Sequence, residues 1–195
     1  MEIVLATGNE GKIREIQQVL DNASIIVRKQ SDLKVPEIEE SGLSFVENAI
    51  IKARNASKHT GLAAIADDSG LEVDYLSGQP GIYSSRYAGE NASSVANNTK
   101  LLAELKGATD QQRTARFQCV IVYLKHDTDP TPQIFQASWE GIIAETVSGE
   151  HGFGYDPLFI VPGYHCTAAE LQPEVKNQIS HRSQALQKLM HNIIF

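Results

Sequence analysis

Two adjacent carboxylates, Asp67 and Asp68, follow directly on the apolar run 62–66 and precede Ser69-Gly70. Delivering two negative charges from a buried strand is costly unless the charges serve something. Hard oxygen donors of this kind suit a divalent cation such as Mg2+, or a base that takes a proton from water. Successive strand residues face opposite sides, so only one of the pair points into a given site. The competing reading is an Asx-type turn that caps the next segment. Such a turn needs one Asp, and here there are two.

Four further groups could do chemistry. Thr7-Gly8-Asn9-Glu10-Gly11-Lys12 sits where a short strand would turn into a helix. Backbone N–H groups and the positive end of a helix dipole collect there, and Lys12 adds a point charge, which together make an anion site. The pattern is neither a Walker A nor a GxGxxG loop. An ordinary turn with a solvated lysine accounts for the same residues. The acidic run Glu37, Glu39 and Glu40 reads as a solvated loop unless it folds back beside Asp68. Gly152-Phe153-Gly154-Tyr155-Asp156 lets backbone approach a flat ligand, with Phe153 as a stacking face; a turn with core aromatics is the alternative. Lys176 and Ser180-His181-Arg182 are placed at the start of the last helix. Cations at a helix N-terminus oppose the dipole, so an anionic or polar ligand explains them better than local stability does. No HExxH, GxSxG or CxxC pattern occurs, and the remaining histidines lack metal-ligand spacing.

The elements that must position these groups are legible from periodicity. Residues 3–6 and 62–66 read as buried strands and 23–27 as a further strand. Residues 12–20, 93–105 and 181–193 read as helices. A helix begins after Ser44, which with Glu47 forms a capping box; Phe45, Ala49, Ala53 and Ala56 share its inner face, and Gly61 ends it. Residues 114–124 and 133–144 form a long antiparallel hairpin, and 158–161 a short strand. An early βαβ pattern followed by a hairpin means α/β with a mixed sheet, expected as one domain over 1–195.

Composition removes several classes. The chain has 195 residues, 42% hydrophobic and 21% charged, with 17 Lys plus Arg against 24 Asp plus Glu and a net charge of −7. That is an ordinary globular composition without the basic excess that grips long nucleic acid or an anionic membrane. The two cysteines, Cys119 and Cys166, form neither a zinc motif nor a disulfide framework. No segment reads as a signal peptide or a membrane span, so a cytoplasmic location is expected.

Taken together and in order, the motifs closely resemble the Ham1/RdgB family of inosine triphosphate pyrophosphatases. The matching pieces are Thr7-Gly8-Asn9-x-x-Lys12, Glu40-x-Gly42-x-Ser44-Phe45-x-Glu47-Asn48-Ala49, Ala66-Asp67-Asp68-Ser69-Gly70-Leu71, Pro80-Gly81-x-x-Ser84-x-Arg86, Gly152-Phe153-Gly154-Tyr155-Asp156-Pro157 and Ile179-Ser180-His181-Arg182. They span essentially the whole chain.

The resemblance implies an elongated, two-lobed α/β fold around a long mixed β-sheet, an active cleft between the lobes, and a homodimer. It implies Mg2+-dependent hydrolysis of ITP, dITP and XTP to the monophosphate and pyrophosphate. Asp68 would be the catalytic carboxylate and Glu40 the second metal ligand, with Glu39 the alternative. Thr7, Gly8, Asn9, Glu10, Gly11, Lys12 and Ser69 would hold the triphosphate. Phe153, Gly154, Tyr155, Asp156, Lys176, His181 and Arg182 would hold the base and nearby phosphate. One departure is Cys166, where many members carry a lysine. A non-catalytic nucleotide sensor and a pyrophosphatase for other modified nucleotides are the competing functions. A dinucleotide oxidoreductase is disfavoured, because the glycine loop comes late and not after the first strand.

Overall fold

The computed structural model describes residues 2–20 and 25–192. The elements are β1 Glu2–Leu5, α1 Glu10–Leu20, β2 Ile26–Lys29, α2 Phe45–Thr60, β3 Ala63–Val73, α3 Ser94–Glu104, β4 Thr114–Leu124, β5 Gln133–Ile143, β6 Phe159–Val161, β7 Cys166–Thr167, α4 Pro173–Ile179 and α5 His181–Asn192. One seven-stranded sheet runs in the order β2-β1-β3-β4-β5-β6-β7. Its β1–β2 and β1–β3 pairs are parallel, and β5–β6 and β6–β7 are antiparallel. The mixed α/β class expected from the sequence is therefore the one observed. The strand expected over 23–27 is found at Ile26–Lys29, and residues 23 and 24 lie outside the described residues.

Two compact units divide the chain: Met1–Asp68 with Cys119–Ala137 and Arg182–Phe195, and Ser69–Gln118 with Ser138–His181. In the first, strand alternation sorts side chains onto the two faces of the sheet. Ile3, Leu5, Ile65, Cys119, Ile121 and Tyr123 pack with Ile13, Ile16 and Leu20 of α1 and with Ala185, Leu186 and Leu189 of α5. The intervening residues Val4, Ala6, Ala64, Ala66, Val120 and Val122 pack against Ala49, Ala53 and Ala56 of α2. Those three alanines are completely buried, so the α2 backbone lies close to the strands. The second unit has its own core, in which Phe117, Trp139 and Phe159 cluster with Leu71, Leu101, Leu105 and Leu158.

One boundary differs from expectation in a way that matters for the site. The strand does not stop at Ala66. β3 continues through Asp67-Asp68-Ser69-Gly70 to Val73, so the Asx-turn reading is wrong and both aspartates are mid-strand. Extended backbone persists because β3 is paired within the sheet and its residues beyond Gly70, Leu71 and Val73, are fully buried.

Ser44 and Gly61 bound α2 as the sequence suggested, but Glu47 takes the Leu43 N–H in place of the Ser44 N–H that a capping box would give it. Ser44 accepts the Glu47 N–H, and Glu47 accepts from the Leu43 N–H and the Ser44 hydroxyl. Gly61, at φ 69°, closes the helix in the left-handed region with its N–H on the Ser57 carbonyl. Ser44→Ala is expected to lower stability by about 1 kcal/mol. Gly61→Ala is expected to cost about 1–2 kcal/mol, since a Cβ opposes the left-handed conformation. The check is a lower urea midpoint at unchanged m-value; unchanged midpoints in both variants would show that the caps do not hold α2.

Candidate active site

Strand geometry decides the fate of the two aspartates. Asp68 follows Ala64 and Ala66 at a spacing of two, and so faces α2. Asp67 follows Ile65 and faces α1 and α5. Each carboxylate meets cations from the helices packed on its side.

Asp67 is completely buried. Its Oδ1 lies 2.5 Å from Lys12 Nζ of α1, and its Oδ2 accepts Arg182 Nε of α5 at 3.1 Å and the Cys119 thiol at 3.2 Å. Arg182 is itself buried and also pairs with Glu15 of α1. Burial by itself would push the Asp67 carboxyl up, but Arg182 and Lys12 outweigh it and hold the group well below the usual carboxylate range. Burial also raises the Cys119 thiol well above its ordinary value, with Asp67 adding to the effect.

Asp68 Oδ1 accepts Lys52 Nζ of α2 at 2.8 Å, and the same ammonium lies 3.1 Å from Glu40 Oε1. Here burial wins: the Asp68 carboxyl is pushed up despite Lys52, with Glu40 pushing the same way. Burial would lower the Lys52 ammonium, but Asp68 and Glu40 together raise it, so it stays charged. Asp68 Oδ2 is buried and has no hydrogen-bond partner among the described residues. The acidic loop does fold back toward Asp68, and it is Glu40 that reaches the shared lysine, whereas Glu39 is exposed.

No motif singles out Lys52, but its place does: residue 52 lies three positions after Ala49 on the helix, inside the alanine stripe. A lysine in an apolar stripe needs a buried partner.

The turn from β1 to α1 is more closed than expected. Asn9 Oδ1 accepts the N–H groups of Gly11 at 2.9 Å and Lys12 at 3.2 Å, and Thr7 Oγ1 accepts the Asn9 N–H at 3.2 Å. Donors anticipated for an anion are thus engaged by the turn's own side chains. Gly8, Asn9 and Glu10 remain exposed, and Lys12 is committed to Asp67.

The remaining predicted residues fall in the second unit. Lys176 is corrected in position: it lies in the last turn of the separate helix α4, where a cation complements the dipole. Its Nζ lies 2.7 Å from Asp156 Oδ2 and 5.2 Å from the centre of the Phe153 ring. Asp156 Oδ2 also accepts the Phe153 N–H at 2.8 Å. The Tyr155 hydroxyl donates to the Ser84 carbonyl at 2.8 Å. A side chain at Gly152, whose φ is 76°, would run into the Asp156 carboxylate, so this position requires glycine. His181 is buried, with its ring stacked 4.8 Å from that of Phe117. Ser69 follows Asp68 on β3. Asp68, Glu40, Lys52, Asp67, Lys12 and Arg182 thus form one group in the first unit. Phe153, Tyr155, Asp156 and Lys176 form another in the second.

The Ham1 family model matches residues 3–192. The dITP/XTP pyrophosphatase of Thioalkalivibrio sulfidiphilus is 58% identical over 99% of this chain and 98% of its own length. That of Vibrio vulnificus strain YJ016 is 56% identical over 96% and 94%. A Ham1 protein structure from Coxiella burnetii superposes with a TM-score of 0.92 at 51% identity, covering 98% of this chain and 97% of that one. A nucleoside-triphosphatase/dITP/XTP pyrophosphatase structure from Mycobacterium abscessus gives 0.78 at 41%, covering 97% and 99%.

Asp67→Asn is expected to destabilise by about 3–5 kcal/mol, because Lys12 and Arg182 lose a buried counter-charge. The pH dependence follows from the depressed carboxyl. The folded state binds fewer protons there than the unfolded state, so the stabilisation is full above about pH 4 and is lost as pH falls. Urea titrations between acid and neutral pH should show a shallower acid decline in the variant than in the wild type; parallel declines would remove Asp67 as the cause.

Proposed function

The chain belongs to the Ham1 family, and we propose that it hydrolyses the non-canonical purine nucleoside triphosphates ITP, dITP and XTP to the monophosphate and pyrophosphate. The observation that carries the reading is the Asp68–Lys52–Glu40 cluster: two carboxylates share one partly buried ammonium, and one oxygen of Asp68 has no partner among the described residues. A stabilising ion pair would satisfy both oxygens.

The donors fit a Mg2+ ion, which takes one or two carboxylates together with substrate phosphates. Asp68 and Glu40 would hold it, and when bound it supplies charge neutralisation for the phosphates and the leaving pyrophosphate. The protein's own residues do the rest. Asp68 accepts a proton from the water that attacks the α-phosphorus; the bond to the bridging oxygen breaks and pyrophosphate leaves. Burial makes Asp68 a stronger base than an exposed aspartate, while Lys52 favours its ionised form. The Lys52 ammonium also complements charge on the triphosphate.

On the base side, Phe153 offers a ring for stacking, and Lys176 and His181 offer donors to a 6-carbonyl. Adenine, with an amino group at that position, would face a donor and be refused. Arg182 acts chiefly by neutralising Asp67. Family likeness extends the proposal to a cytoplasmic homodimer acting on free nucleotides, not on nucleic acid or at a membrane. Among the described residues no helix is long and apolar enough to cross a membrane.

The direct test is pyrophosphate release from ITP, dITP, XTP, ATP and GTP, with Mg2+ and with a chelator. Metal-dependent release from the first three supports the proposal. Binding of ITP without release would make the protein a sensor. Asp68→Asn should lower kcat by about 10²–10⁴-fold. Its stability should hold or rise slightly, because an elevated carboxyl pKa means that ionised Asp68 is disfavoured in the fold. With Lys52→Met the carboxylates lose their cation, the Asp68 pKa climbs further, and the acid limb of kcat/KM moves to higher pH. An unmoved limb would assign that limb to another group.

A further inference from the structure

Two peptide groups of the loop are pinned, the one before Phe153 and the one after Gly154. On one side the Phe153 N–H is held by Asp156 at 2.8 Å, and Asp156 is fixed by Lys176 at 2.7 Å. On the other, the Gly154 carbonyl accepts Asn98 Nδ2 at 3.1 Å, although Asn98 lies 56 residues earlier on α3. Gly154 has φ 63°, in the left-handed region where glycine moves freely, so the peptide after it would rotate without that bond.

Asn98 has a partner in the preceding residue. Asn97 Nδ2 donates to the Ser85 carbonyl at 3.1 Å and the Ser84 carbonyl at 3.4 Å, and its Oδ1 accepts the Ala88 N–H at 2.8 Å. The Ser84 carbonyl is also the acceptor for the Tyr155 hydroxyl, and Ser84 Oγ accepts the N–H of Leu71 on β3. Two consecutive amides of one helix thus hold the segment 84–88 and the loop 153–155 in a single polar frame.

This arrangement is poor for stability alone. Asparagine is a weak helix former. Asn98 is only 6% exposed, and its Oδ1 has no hydrogen-bond partner among the described residues. A buried acceptor left unpaired costs free energy that an apolar residue of the same shape would not incur. What Asn98 gains is a fixed Gly154 carbonyl.

We propose that Asn98 is a positioning residue for purine recognition: its bond to Gly154 locks the loop so that Phe153 presents its ring, with Lys176 beside it, in the geometry that receives the base. This rests on the reading of Phe153 as the stacking residue, so Phe153 is varied in parallel. Asn98→Leu keeps the size and removes both polar atoms. Asn98→Asp keeps the shape and the acceptor but removes the donor, and stands in should the leucine variant not fold.

Steady-state kinetics on ITP and ATP and urea unfolding are measured for each. Expected for both Asn98 variants is a KM for ITP raised roughly tenfold and a lower ITP-to-ATP ratio of kcat/KM, with kcat for ITP close to wild type. The leucine variant should be at least as stable as the wild type. An unchanged KM and ratio in the Asn98 variants, with KM raised in Phe153→Ala, would overturn the positioning role and leave the stacking reading standing. An unchanged KM in Phe153→Ala would overturn the stacking reading and this proposal with it. An equal loss on ITP and ATP accompanied by a lower unfolding midpoint would make Asn98 structural only.

Discussion

The site depends on one constraint: a β-strand turns successive side chains to opposite faces. Because β3 continues through Asp67 and Asp68, the two charges cannot share an environment. One enters the layer shared with α1 and α5, the other the layer shared with α2. Had the strand ended at Ala66 in a turn, both carboxylates could have faced the same side and repelled each other.

From that division the two aspartates acquire opposite characters. Asp67 is surrounded by Lys12, Arg182 and the Cys119 thiol, and its charge is secured by them. It joins β3 to α1 and α5, so it contributes to stability. Asp68 pairs with the Lys52 ammonium, which it shares with Glu40, and burial pushes its carboxyl up. That combination suits a base and a cation ligand and contributes little to folding. Neighbouring, chemically identical residues thus acquire different electrostatic settings according to which helix lies opposite.

The helices are placed by apolar contact, and their cations follow. Alanines of α2 lie flush against Ala64 and Ala66, and this close approach carries Lys52 to Asp68. In the second unit the same logic uses polar groups. Asp156 tethers the Phe153 N–H, and the asparagine pair on α3 tethers Gly154 and the segment 84–88. A glycine loop has little intrinsic order, so its shape is supplied by the elements around it.

Much of this was legible in the chain itself. The strand and helix periods, the caps Ser44 and Gly61, and the ordered set of motifs are local properties, written in residues a few positions apart. Alternation separates Asp67 from Asp68 wherever the strand includes them. Local sequence did not reveal that β3 runs on past Ala66, because strand length there is set by pairing with its neighbours and by the buried residues after Gly70. Nor did it show that Lys176 belongs to a helix of its own, that Lys12 and Arg182 converge on Asp67, or that Glu40 and not Glu39 reaches Lys52. Residues 68 and 52, or 98 and 154, meet only when elements pack. Backbone covalent geometry makes the period of a strand or helix a local matter, whereas the partner of a side chain depends on which distant apolar faces come together.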